Sequence, residues 1–504
     1  MRPASQARGT AGSFAERGIM EDIEQKPNVV PLSGPQLPAD HGLSSLGLLM
    51  QVGGSIYAGA MSTMALMLLF AVGSAPGRSG GGMPGLWALF LVLALCVVRS
   101  AMHRAAGNAL VYGHPGGPLK PVRAYIWFAL IQTFVSLAVL SGSLHLPGQA
   151  LLQFGAMLAA WPLVVLAFIS SPRIKRLSVE IPLAEDKGFE GASVFMVLFG
   201  AVGTLLTGFM LYLFLKMPGA LLASGQGLLL LGAIVLLFIR SVFHFLAGRR
   251  GIFGATVDES IDVTQRYYNF GIISSWIVGG VFLLVMMMTR INGLAFIILS
   301  MMVYLLLVWP LIIRRFFAER QFADVLAGDA APMHRRAPDL GLTALGWLLL
   351  AIGSMSLAQT LPQLVSHGPM DAFMARGAGP LGGMMSGLNA FAMPSLGHSP
   401  WWVIGLSALQ VWAGLELVRM TDRHRIVGTI YGAVAIAVSL YVFYPVLKNL
   451  RGFFDIAGAG GLGGGFVFVT LALQLAIPVG ALILVNRRNT PNALARVREP
   501  ERTV

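Results

Sequence analysis

Arg99 and His103, and again Arg240 and His244, stand four residues apart, which puts each pair on one face of a helix. A guanidinium and an imidazole on one face suit an anionic head group or a phosphate. Both pairs are expected at the cytoplasmic ends of apolar runs. There, snorkelling of a long cation beside the negative end of a helix explains them without any ligand. With no histidine expected in a helix middle, haem ligation is set aside.

A second set is polar and uncharged. Gln51, Gln132, Gln359, Gln410 and Gln474 fall inside apolar runs, with Gln153, Ser274 and Ser275. Such groups hydrogen-bond between helices for about 0.6–2 kcal/mol each; lining one space, the same glutamines would form a polar cavity. Glu416 sits one turn before Arg419, the spacing of an i,i+3 ion pair. Of the 25 methionines, 17 fall on the outer side of the topology set out below. The outer loop 365–399 carries Met370, Met374, Met384, Met385 and Met393 with His367 and His398. Thioether and imidazole suit Cu(I), but no Met-x-x-Met cluster recurs, and methionine also fills irregular gaps or coats a loop resting on lipid. The reading assigns no metal, no cofactor and no catalytic residue: there is no P-loop and no nucleophile–base spacing, and the single cysteine, Cys96, lies in an apolar run.

These residues need a scaffold, and composition names its solvent. The chain has 504 residues, 56% hydrophobic and 11% charged, with a mean hydropathy of +0.74. Soluble domains are about 25% charged, so a soluble enzyme and a nucleic-acid binder are both excluded; the partner is the lipid bilayer. A hydrocarbon core of about 30 Å needs about 20 apolar residues per helix. Twelve runs qualify: 44–73, 84–104, 124–144, 148–171, 192–215, 220–244, 268–289, 292–314, 342–364, 400–419, 426–447 and 465–486. The predicted fold is all-α and polytopic. Residues 1–43 and 488–504 read as cytoplasmic tails, the first disordered, with Met20 an alternative start to Met1.

With the N-terminus inside, the inner segments hold 29 of the 35 Lys and Arg residues and the outer ones 6. That split is a strong positive-inside signal and puts both termini in the cytoplasm. It also turns the net charge of +13 into an orientation signal, and leaves no charge expected at the membrane centre.

The spans repeat in fours. RSAMHRAAGNALVYG (99–113) follows span two and RSVFHFLAGRRGIFG (240–254) follows span six, with Arg, Ser, His, Ala and two Gly coinciding. The next helices open on Arg-x-Tyr, at Arg123–Tyr125 and Arg266–Tyr268, and Trp-Pro-Leu recurs at 161–163 and 309–311. A weaker third copy shows Arg419, Arg423 and IYG at 430–432, and LGLLMQVGG (46–54) matches LGWLLLAIG (345–353). Three parallel four-helix units follow: 44–177, 192–318 and 342–487. The basic segment 422–428 (DRHRIVG) echoes a cytoplasmic loop of the major-facilitator family. It falls after the tenth span, and a 4+4+4 pattern contradicts that family's 6+6 halves.

The expectation is an integral protein of a bacterial inner membrane, transporter- or channel-like for a neutral or lipid-like solute. The Gly-rich outer segment 449–465 and the loop 365–399 would supply a lid. The rival is a membrane scaffold bound to other subunits of a secretion, export or motility machine, and outer-face Cu(I) handling is a minor alternative. The sidedness is testable. Green fluorescent protein fused after Val504 is expected to fluoresce, and alkaline phosphatase fused there to be inactive; the opposite pair of results would reject the orientation.

Overall fold

The computed structural model describes residues 42–73, 83–144, 148–171, 174, 188–216, 224–254, 257–289, 293–318, 339–365, 400–448 and 461–487. Every regular element among them is a helix: α1 (Leu43–Gly73), α2 (Met83–Tyr112), α3 (Leu119–Leu144), α4 (Gly148–Ile169), α5 (Phe189–Leu215), α6 (Gly225–Phe253), α7 (Val257–Thr289), α8 (Gly293–Ala318), α9 (Leu342–Val365), α10 (Pro400–Arg419), α11 (His424–Lys448) and α12 (Gly461–Val485). α1 to α11 each contain a stretch long and apolar enough to cross a membrane; in α12 the described apolar stretch is the shorter Gln474–Val485. Phe134, Trp127, Trp276 and Met287 stand largely exposed on these helices. Only a hydrocarbon solvent tolerates such a surface, which fits an integral membrane protein.

Several helices outrun their apolar stretches. α2 continues to Tyr112 and α6 to Phe253, about two turns past the expected ends at 104 and 244, and α7 begins at Val257 rather than 268. Protein, not lipid, solvates the extra turns. A Cβ on Gly107 of α2 would stand 2.6 Å from the Gly47 carbonyl oxygen of α1; one on Gly248 of α6 would stand 2.6 Å from the Val197 nitrogen of α5; one on Gly414 of α10 would stand 2.8 Å from the Gly346 carbonyl oxygen of α9. At each crossing two backbones touch because no side chain separates them.

From these close pairs the bundle builds outward. α1 packs on α2, α5 on α6 and α9 on α10; α3, α7 and α11 then join α2, α6 and α10, and α4, α8 and α12 complete each run. Further contacts link the runs: α8 lies against α1, α12 against α5 and α4 against α9, while α1, α5 and α9 touch one another. Each of these three inner helices follows a glycine with positive φ: Gly42 at 82°, Gly188 at 81° and Gly341 at 75°. A Cβ there would meet Thr343 of α9, Ser44 of α1 and Val194 of α5 respectively, each within 3 Å. The indole of Trp347 fixes the junction, donating from Nε1 to the Gly42 carbonyl at 3.0 Å. Leu48, Phe189, Phe195 and Trp347 are fully buried around it.

Gly107→Ala is therefore expected to lower stability by about 1–3 kcal/mol through overpacking. Gly280→Ala on α7, where a Cβ meets nothing, is expected to be neutral or stabilising by up to about 1 kcal/mol. Thermal unfolding in detergent checks both; equal midpoints for the two variants would contradict the close crossing.

Candidate functional site: two buried arginine clusters

Proline decides where the polar groups go. Pro162 inside α4 and Pro310 inside α8 have no N–H, so the carbonyls four residues earlier, at Leu158 and Leu306, lose their helical donors. In hydrocarbon an orphan carbonyl costs several kcal/mol. Arg99 reaches across from α2 and donates from Nη2 to the Leu158 carbonyl. Arg240 reaches from α6 and donates from Nη2 to the Leu306 carbonyl. The other terminal nitrogen of each guanidinium is held by the third helix: Arg99 Nη1 donates to Gln132 Oε1 at 3.0 Å, and Arg240 Nη1 to Ser275 Oγ at 2.6 Å. Gln132 is itself fixed, its Nε2 donating to Ser136 Oγ at 2.8 Å.

This placement corrects two expectations. Arg99 and Arg240 do not snorkel from helix ends: they lie midway along α2 and α6, 8% and 7% exposed. His103 and His244 likewise lie inside their helices, nine residues or more from the last. The interior of the helix bundle is thus not free of charge. Among the described residues neither guanidinium has a carboxylate partner, and all its acceptors are neutral.

One helical turn beyond each arginine, the histidine is sandwiched. His103 stacks on Tyr125 with centroids 4.7 Å apart and planes 13° apart; His244 stacks on Tyr267 at 4.7 Å and 18°. The sequence register had equated Tyr125 with Tyr268, one position too far, because it followed the Arg-x-Tyr spelling. Tyr268 packs instead towards Phe317. On the other side of each histidine stands the tryptophan that precedes the helix-breaking proline.

The two copies differ at this tryptophan. Trp161 lies edge-on to His103, at 62°, and its Nε1 donates to His103 Nε2 at 2.9 Å. Trp309 lies at 29° to the His244 plane, too flat to aim its N–H at the ring nitrogen. As a result Trp309 Nε1, His244 Nε2 and the Tyr267 hydroxyl are all buried without a hydrogen-bond partner. Each such atom costs about 1–3 kcal/mol, so three together in one place are unusual. The first cluster is closed on itself; the second is open.

The remaining sequence candidates are dispersed. Gln51 donates to the Gly107 carbonyl across the α1–α2 crossing at 3.4 Å, and Gln153 donates to the Gln359 carbonyl between α4 and α9 at 3.3 Å. Gln359 Oε1 and Gln474 Nε2 are buried without partners, and Gln410 is buried on α10. Ser274 bonds its own helix at the Gly271 carbonyl. Glu416 does not pair with Arg419; its carboxylate accepts from Trp412 Nε1 at 3.0 Å and from the Thr421 hydroxyl. The methionine- and histidine-bearing stretch 366–399, with Met370, Met374, Met384, Met385, Met393, His367 and His398, lies outside the described residues, as do 449–460.

Comparison with protein-family models, with curated proteins and with solved structures finds no match to this chain. The reading therefore rests on the clusters alone. Their energetics can be tested by a cycle. Arg99→Met orphans the Leu158 carbonyl and is expected to destabilise by several kcal/mol. Adding Pro162→Ala restores a helical N–H and is expected to recover about 1–2 kcal/mol of that loss. Pro162→Ala giving the same change with and without Arg99 would show that the two do not share the carbonyl.

Proposed function

We propose that the chain is a transporter- or channel-like membrane protein for a lipid-like solute bearing an anionic group. The observation that carries this reading is the pair of buried guanidiniums, Arg99 and Arg240, midway along their helices and without a carboxylate partner among the described residues. Ionisable groups inside a membrane are costly, and where they persist they usually face a pathway. Each guanidinium holds a carbonyl that a proline inside a continuous helix has freed. A neutral solute drew its support from an uncharged membrane centre; two cations there favour a solute with negative charge.

The same proposal takes the twelve helices as three parallel four-helix units, 44–177, 192–318 and 342–487, about a pseudo-threefold axis. Its support is the recurrence of contacts: Gly42, Gly188 and Gly341 each end in a neighbouring unit, and Gly107, Gly248 and Gly414 each mark the crossing of the first two helices. The third unit has diverged. Matching Ser407 to Ser100 by their packing on Gly353 and Gly54 puts Leu406 in the place of Arg99 and Gln410 in that of His103. Two sites, not three, follow. The excess of inner Lys and Arg supports cytoplasmic termini in a bacterial inner membrane, and the lack of a nucleophile–base set supports a role without catalysis.

One feature favours the scaffold reading instead: the first cluster satisfies itself, and the core around Trp347 is tightly packed. Proteoliposomes separate the two. The protein is expected to speed movement of a fluorescent anionic lipid across the bilayer over empty vesicles, and of its zwitterionic analogue less. No acceleration of any solute class, together with a stoichiometric partner lost when residues 248–266 or 315–340 are altered, would establish the scaffold.

A further inference from the structure

We propose that the second cluster, Arg240, Tyr267, Trp309 and His244, is a binding site for a single oxyanion, a phosphate or carboxylate. The inference rests on the transport reading only for its biological use; the site itself stands on geometry. Arg240 is already aimed, since Leu306 and Ser275 hold its two terminal nitrogens and fix the plane of the guanidinium. The Tyr267 hydroxyl lies beside that guanidinium. Trp309 Nε1, the Tyr267 hydroxyl and His244 Nε2 are buried and unpartnered around it. Two of these atoms only donate or can donate, and the imidazole nitrogen donates in one tautomer. Donors converging beside an uncompensated cation have one complementary ligand, a compact group with negative oxygens.

The first cluster is the internal control. It has the same arginine, histidine, tyrosine, tryptophan and proline-freed carbonyl, yet its Trp161–His103 hydrogen bond uses up the tryptophan and histidine nitrogens that the second leaves open. Burial therefore does not force the tryptophan N–H to stay unpaired. A groove lies next to the cluster. About 390 Å³ in volume, it runs beside α6, lined by Phe243, Leu246, Arg249, Arg250, Phe253 and Val263. Phe243, which lines the groove, packs edge-on against Tyr267 of the cluster at 6.0 Å, so one aromatic ring separates the two. At its mouth Arg249 and Arg250 are exposed and make no side-chain hydrogen bond or ion pair with the described residues, which would gather anions from the interface. Apolar walls under a basic mouth suit an anion that carries a chain.

The test uses the full chain in phosphatidylcholine nanodiscs and two radiolabelled probes, inorganic phosphate and dodecyl phosphate, measured by equilibrium dialysis. The expected result is saturable binding of dodecyl phosphate, weakened about tenfold or more by Trp309→Phe and by Tyr267→Phe, the size of one lost hydrogen bond to a charged group. Trp161→Phe, in the closed cluster, is expected to leave it unchanged. Phosphate binding as tightly as dodecyl phosphate would support the site and identify a free anion as its ligand; much weaker phosphate binding would support it with an amphiphile. Binding of neither probe, wild-type affinity in both Trp309→Phe and Tyr267→Phe, or an equal loss in Trp161→Phe overturns the assignment. Binding without any vesicle flux leaves the site standing and removes transport; flux indifferent to Trp309 and Tyr267 does the reverse.

Discussion

A backbone carbonyl that cannot be left bare in lipid governs the arrangement of these helices. Pro162 and Pro310 each free one, and the donor that caps it comes from another helix, two positions earlier in the chain order. A guanidinium is the side chain suited to this. It spans the distance between helices, carries five donors and does not lose its charge. One arginine thereby ties three helices, because the nitrogen not used by the carbonyl is held by the helix between them. The tie also sets depth: the arginine lies at the level of the proline and cannot slide toward the head groups. A lysine would supply a point charge without the two-sided grip.

The same prolines govern how the runs of helices meet. α4 and α8, whose carbonyls are capped, also carry the tryptophans that face outward from the cluster toward other helices. Trp161 packs edge-on against Trp347 of α9 at 6.2 Å, and Trp347 in turn bonds the carbonyl of Gly42 before α1. From Arg99 through His103 and Trp161 to Trp347, a continuous chain of side chains runs from a helix interior to the junction of α1, α5 and α9. On the other copy, Tyr304 of α8 donates to the Ser55 carbonyl of α1 at 2.8 Å, so that connection too crosses between runs. Polar satisfaction inside a run and packing between runs are therefore one problem, solved by the same two helices.

Apolar run length located the helices well, because both the lipid-facing positions and the buried core of the bundle are apolar. It failed on their ends. Residues 105–112 and 245–253 include Gly107, Asn108, Arg249 and Arg250, which lower hydropathy, yet they stay helical because α1 and α5 press on them at Gly107 and Gly248. Counting from the false ends put Arg99 and Arg240 near helix ends, whereas they lie midway along α2 and α6. The clue was in the spelling of the repeats: an arginine absolutely matched in two copies, together with Trp-Pro four residues after a leucine, is the signature of a capped carbonyl. A third repeated element was also legible: Asp-x-Gly before an apolar residue recurs at Asp40–Leu43, Asp186–Phe189 and Asp339–Leu342. In the third of these, Asp339 accepts from the Gly341 N–H at 3.2 Å and from the Thr343 hydroxyl, the capping that starts α9. The differing spacing between copies hid it.

What no spelling reveals is why one cluster closes and the other does not. The residue that holds the arginine differs as well. In the first, Gln132 extends a long amide to Arg99 and anchors it through Ser136. In the second, the grip passes to Ser275, whose short hydroxyl also donates to the Gly271 carbonyl within its own helix. Tyr267 of α7 stacks there on His244 of α6, and a Cβ on Gly271 of α7 would stand 2.9 Å from the Pro310 ring of α8. Trp309 lies flatter on His244, at 29°, than Trp161 does on His103, at 62°. In a medium without water, a modest difference in ring tilt separates a tryptophan and histidine that bond each other from a pair that do not.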